Sequence, residues 1–189
     1  SLGVKCIYLS PIFEAYSNHK YDTGDYMKVD EAFGGDEALQ FLIDEAKKRG
    51  IGIMLDGVFN HTGDNSIYFN RYGRYDTIGA YASKESPYYD WYFFDEHPDV
   101  YECWWGVKIL PKIRPVEAFR KYICEDVLEK YCKMGVMGWR LDVVDELDAR
   151  LLDDGDFLVE NLLGKSVLRN AVAEHTAHLV HHVINGYAV

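Results

Sequence analysis

Two short stretches carry side chains whose types and spacing can do chemistry. In Gly138-Trp139-Arg140-Leu141-Asp142-Val143-Val144 an arginine and a carboxylate stand two residues apart. The run from Val136 to Val144 is apolar and β-branched and follows a helical pattern ending at Gly135, so it reads as a buried strand. Residues two apart on a strand share a face. Burying an arginine beside an aspartate is costly in desolvation, so the pair is either a structural ion pair or the lining of a polar site. In the second stretch, Ile51-Gly52-Ile53-Met54-Leu55-Asp56-Gly57-Val58-Phe59-Asn60-His61, an apolar strand delivers Asp56, Asn60 and His61 around its C-terminal end. Two strands, each after a helix and each releasing polar groups at its carboxyl end, fit a β/α barrel, where catalytic groups gather at that face.

Asp56-x-x-x-Asn60-His61 followed by Gly138-x-Arg140-x-Asp142 resembles the first two diagnostic motifs of the α-amylase superfamily of glycoside hydrolases. The wording Asn18-His19-Lys20-Tyr21-Asp22-Thr23-Gly24-Asp25-Tyr26 is similar to the neopullulanase and cyclomaltodextrinase branch, and the likeness runs over about residues 3–148. It implies an α/β fold: part of a (β/α)8 barrel, strands two to four, with an aromatic-rich insertion after the third barrel strand. It also implies retaining hydrolysis, or transglycosylation, at α-glucosidic bonds of starch-like oligosaccharides. Asp142 matches the nucleophile, and Arg140 would orient it and keep it ionised by lowering its pKa. Tyr21 and Asp22 would line the sugar site, with Tyr21 stacking on the ring whose bond is cut. His61 would hydrogen-bond sugar hydroxyls, and Trp105, with Trp104, matches a tryptophan pair of that branch. Asp56 is expected to be structural, holding the loop after its strand. Asn60 would support the cleft or a calcium ion, which is allowed for rather than required. Where relatives carry an aspartate before the motif glycine, this chain has Met137.

Retaining chemistry needs a second carboxyl group about 5–5.5 Å from the nucleophile. The superfamily's third motif, which supplies it, has no clear counterpart here. Glu174, in a helical pattern, and Glu160, after a short strand-like run, are the candidates, and the fourth motif is absent. His175, His178 and His182 share a face of that helical pattern, with His181 beside them, a spacing open to a divalent metal or to an ordinary solvated face.

The elements that must position these groups can be read in order. Val4–Ser10 is a strand stopped by Pro11, and 11–35 is a long polar loop of the kind that carries function. Residues 36–49 form an amphipathic helix with Leu39, Leu42, Ile43 and Ala46 as its stripe. Strand 51–58 follows. A second helix over about 116–134 puts Val116, Phe119, Ile123, Val127 and Tyr131 on one face, capped by Gly135. Residues 1–61 and 116–150 thus form the barrel portion, 62–115 an inserted small domain, and 151–189 an unassigned tail with a helical pattern.

At 189 residues the chain is shorter than the about 250 of a full barrel, so the expectation is a piece or a truncated relative of a longer protein. Half a barrel would leave open strand edges, to be covered by a second copy or by the missing remainder. A net charge of −11 argues against nucleic acid and anionic membrane surfaces, and no apolar run approaches the ~18 residues of a membrane span. Cys6, Cys103, Cys124 and Cys132 lack metal spacing and read as buried free thiols; with no signal peptide in view they favour a cytoplasmic setting. Fifteen tyrosines and four tryptophans suit sugar stacking or an aromatic core. An α-glucan oligosaccharide is the expected partner. The reading from a different class is a non-catalytic α-glucan-binding or assembly module.

Overall fold

The structure, a computed structural model, describes residues 2–155. The sequence candidates Glu160, Glu174, His175, His178, His181 and His182, and all of the tail beyond residue 155, lie outside the described residues.

The first strand, β1 (Cys6–Tyr8), is shorter than the expected Val4–Ser10. The expected loop 11–35 contains an antiparallel pair, β2 (Phe13–Ala15) and β3 (Thr23–Val29), joined in a bulged register. Polar Asp25 and Lys28 hide β3 from a reading of composition, but its inward residues Thr23, Tyr26 and Val29 are buried. Asp30 then ends the hairpin by accepting the Ala32 amide at 2.8 Å, capping a short 3-10 turn. Helix α1 (Gly35–Lys48) buries Leu39, Ile43 and Ala46, while Leu42 lies at the margin of the stripe. Acidic Asp36 and Glu37 open it and Lys47 and Lys48 close it, as the helix dipole favours. Strand β4 (Gly52–Gly57) is buried from Ile53 onward, as a central parallel strand should be.

Residues 62–115 contain little regular structure beyond the short pair β5 (Phe94–Glu96) and β6 (Val100–Tyr101). Aromatic packing holds the segment: the buried Phe69 ring meets Tyr81, Tyr92, Phe94 and Tyr101 at centroid distances of 4.9–5.9 Å. Helix α2 (Glu117–Lys121) continues through a π-helical stretch (Tyr122–Leu128) into α3 (Glu129–Met134). Gly135, at φ +106°, ends it by donating to the Tyr131 and Cys132 carbonyls. Strand β7 (Gly138–Leu141) follows, five residues shorter in total than the expected 136–144. It stops because the Asp142 amide turns to the Gly57 carbonyl at 3.0 Å and Val143 takes a left-handed conformation, φ +43°.

The parallel sheet has the order β1-β4-β7, with Tyr8 opposite Met54, Met54 opposite Gly138 and Asp56 opposite Arg140. The hairpin packs on it through Phe13, whose ring lies 5.0 Å from Tyr131 and 6.2 Å from Trp139. All four cysteines are free thiols. Cys124 and Cys132 are buried as expected, but Cys6 and Cys103 are only half-buried, because β1 is an outer strand and Cys103 sits in the aromatic segment.

Met137 packs over Gly52: a Cβ built on that glycine meets the Met137 sulfur at 2.1 Å and its Cγ at 2.9 Å. Gly52→Ala should therefore destabilise the fold by about 1–3 kcal/mol through overpacking. In a Met137→Ala background most of that penalty should vanish, a non-additivity measurable by denaturant unfolding of the four proteins. Simple addition of the two effects would mean that the steric contact is not its cause.

Candidate active site

The carboxyl ends of β4 and β7 bring together Asp56, Arg140 and Asp142, three of the residues singled out in the sequence, and Tyr21 reaches the same group from the loop before β3. Arg140, on β7, extends its guanidinium between two carboxylates. Its Nη1 donates to Asp56 Oδ1 and Oδ2 at 3.0 and 3.1 Å, and to Asp142 Oδ1 at 2.6 Å. Asp56, one residue from the end of β4, has no exposed side-chain surface, whereas Arg140 and Asp142 keep 15% and 13%. The pair therefore borders an opening instead of lying sealed in the core. Asp56 was expected to hold the loop after its strand. It holds Arg140 and accepts the hydroxyls of Tyr8 and, at 3.3 Å, Tyr21. Burial raises the Asp56 pKa, opposed by the Tyr8 hydrogen bond and the Arg140 charge. Burial by itself would lower Arg140, but Asp56 and Asp142 outweigh it and drive its pKa up.

Asn60 and His61 follow β4 and are buried. Segment 60–62 is bridged to 111–113: Thr62 donates to the Pro111 carbonyl and Ile113 to the Asn60 carbonyl. This pairing lowers loop 103–111 over the site. There the Trp104 ring stacks on His61 at 5.0 Å, and Trp105 stacks on Trp104 at 5.0 Å. Trp105 is 80% exposed and sits at φ +50°, a left-handed conformation that is costly for a tryptophan. Glu146, four residues beyond Asp142, accounts for the arrangement. Its Oε1 accepts both indole N–H groups, at 3.3 and 3.2 Å, and its Oε2 accepts Lys112 Nζ at 3.2 Å. Burial would raise Glu146, but Lys112 and the indoles overcome it and hold the group below the usual carboxylate range. It is thus fitted to be a fixed anion, not a proton donor.

His61 is buried to zero exposure, and among the described residues its Nε2 meets no partner at hydrogen-bond geometry, though the Tyr21 backbone lies close enough to act on the imidazole. Burial lowers its pKa against the pull of Asp142. A neutral imidazole with one unsatisfied nitrogen is suited to meet a hydroxyl. Tyr21 is half-buried beside this group. Asp22 is occupied differently: its carboxylate accepts the Ser17 amide at 3.1 Å and the Ser17 hydroxyl, closing its own loop. Asn60 Nδ2 lies 3.4 Å from His61 Nδ1. Among the described residues no three His, Cys, Asp or Glu side chains gather as metal ligands.

Sequence reasoning missed Tyr8, Lys112 and Glu146. Tyr8 is read as one more apolar strand residue, and Glu146 only follows a motif, so no spacing rule marks either.

The sequence profile described as alpha amylase, catalytic domain, matches residues 1–107. An amylopullulanase of Thermoanaerobacterium saccharolyticum is 46% identical over 168 residues, covering 77% of this chain and 13% of that protein. Neopullulanase 2 of Thermoactinomyces vulgaris is 38% identical over 168 residues, covering 85% and 28%. Among solved structures, the cyclic α-maltosyl-(1→6)-maltose hydrolase of Arthrobacter globiformis, in complex with maltose, superposes with a TM-score of 0.77 at 30% identity, covering 88% of this chain and 38% of that one. The chain spans well under two thirds of each of these relatives.

Two outcomes test this geometry. Glu146→Ala should release the tryptophan pair, raising acrylamide quenching of tryptophan fluorescence while the unfolding midpoint moves little; unchanged quenching would count against the clamp. His61 should make stability depend on pH. Its folded pKa lies below the ordinary 6.5, so as pH falls through that value the unfolded chain takes up a proton that the folded chain resists. Stability present above about pH 6.5 is then lost below it, and His61→Gln should flatten that part of the unfolding curve.

Proposed function

Since the chain belongs to the α-amylase family of glycoside hydrolases, we propose that its described residues are part of a catalytic (β/α)8 barrel that cleaves or transfers α-glucosidic bonds of starch-like oligosaccharides with retention of configuration. The observation that carries this reading is the Arg140 guanidinium shared between Asp56 and Asp142 at the open carboxyl end of the sheet. In this reading β1, β4 and β7 are barrel strands two to four, and 62–115 is the small domain inserted after the third.

Asp142 attacks the anomeric carbon. Its backbone is pinned to Gly57 and its carboxylate to Arg140, so its direction of attack is set before the sugar arrives. His61 offers its unpartnered Nε2 to a ring hydroxyl, and Tyr21 stacks on the ring whose bond is cut. The exposed face of Trp105 extends the wall for a neighbouring sugar. Asp22 supports the loop that carries Tyr21. A departing sugar oxygen needs a proton, and the carboxyl groups near Asp142 among the described residues are committed elsewhere: Asp56 to Arg140 and Tyr8, Glu146 to the tryptophans. In this reading the acid is therefore sought outside residues 2–155, in this chain or in the rest of the barrel.

General acid catalysis is typically worth about 10²–10⁴-fold, so the 189-residue chain should hydrolyse natural α-glucans slowly or not at all. An activated fluoro-glucoside needs no such proton. It should label the peptide containing Asp142, as read by mass spectrometry, and Asp142→Asn should abolish the label. Maltooligosaccharides should meanwhile perturb tryptophan fluorescence. Binding without labelling would remove the catalytic reading. Robust starch hydrolysis would point to an acid within the chain, with Glu174 and Glu160 the first to be replaced.

A further inference from the structure

Tyr8 closes β1 with a hydroxyl in a strand that is otherwise built from apolar or small residues. It stands opposite Met54, two residues below Asp56 in the sheet register. That offset is about 6.6 Å along a strand, a distance a phenol side chain spans. The hydroxyl ends in a hydrogen bond to Asp56 Oδ2.

The significance of that bond lies in a shortage of protons. Arg140 Nη1 carries two hydrogens, yet it faces three acceptors: both oxygens of Asp56 and Oδ1 of Asp142. Asp56 is wholly buried and has no water to turn to, so left to itself it would claim both hydrogens. The Tyr21 hydroxyl, at 3.3 Å from Asp56 Oδ2, is a weak further donor. The groups facing Asp56 are thus Tyr8 from β1, Tyr21 from the loop before β3, and Arg140 and Asp142 from the end of β7.

We propose that Tyr8 is a positioning residue for the Asp142 nucleophile: by supplying Asp56 Oδ2 with a proton, it leaves one Nη1 hydrogen of Arg140 free to hold Asp142. The role rests on the reading of Asp142 given above, but the competition for Arg140 exists whether or not the site turns over. Removing the hydroxyl makes Asp56 a stronger competitor for the guanidinium and a stronger base. Asp142 then loses the contact that fixes its direction. Burial already favours the protonated form of Asp56, and the Tyr8 hydrogen bond is foremost among the contacts opposing it.

Tyr8→Phe in the full 189-residue chain keeps the ring and removes only the donor. With carboxyl-13C aspartate, the Asp56 titration midpoint should rise by about one pH unit, the scale of a lost hydrogen bond to a charge. The Asp142 carboxyl resonance at neutral pH should shift in the same variant, with the circular dichroism spectrum unchanged. Labelling of Asp142 by the activated fluoro-glucoside should slow about tenfold by the same reasoning, and Tyr8→Phe should add no further loss in an Asp56→Asn background. An Asp56 midpoint and an Asp142 resonance that both stay in place would overturn the proposal. So would equal losses from Tyr8→Phe with and without Asp56. If the wild-type chain forms no adduct, the catalytic reading falls, yet the two carbon-13 observations still decide the role of Tyr8.

Discussion

A single guanidinium serves two carboxylates at the end of a parallel sheet, and much of the structure answers to that demand. One base stands between a buried carboxylate and a partly exposed one, and the buried member is stable only when its lone pairs are met. The parallel register meets it by placing Asp56 directly opposite Arg140. The short β7 meets it by turning at Asp142, so that the second carboxylate curls back onto the same nitrogen. The strained Val143 that follows is the cost of the turn.

The sequence showed this pair because strand periodicity is local: Arg140 and Asp142 had to share a face wherever the strand lay. The two helices were equally legible, since their stripes and caps lie within a few turns of the chain. Legibility failed where partners are distant. The hairpin of β2 and β3 was read as a loop because Asp25 and Lys28 interrupt its alternation, and the reason for it to order lies in distant partners: Phe13 docks on Tyr131 and Trp139, and Tyr26 on Phe59 and Tyr68. Tyr8 and Glu146 were invisible for the same cause, their partners lying 48 and as many as 42 residues away. Asp22 was read as a cleft residue from its company in a motif, and its bonds to Ser17, five residues away, were not legible there.

The aromatic segment divides into two populations that composition cannot separate. Phe69, Tyr92 and Trp91 are buried and replace the missing backbone ladders with ring contacts. Trp105 is held out against its own backbone preference, with only the Trp104 ring and the Glu146 carboxylate to hold it there. Exposure of a large ring under strain marks it far better than its residue type does.

Glu146 ties Trp104, Trp105 and Lys112 to the turn that begins at Asp142. The loop over the site and the end of β7 are therefore one mechanical unit, tethered through a single carboxylate. A load on the outer indole is transmitted along that tether to the four-residue arc that starts from Asp142. Packing at the rim and the placement of Asp142 are thereby coupled. Substitutions in the two regions, though more than 30 residues apart in sequence by their numbering, should be inherited as one trait.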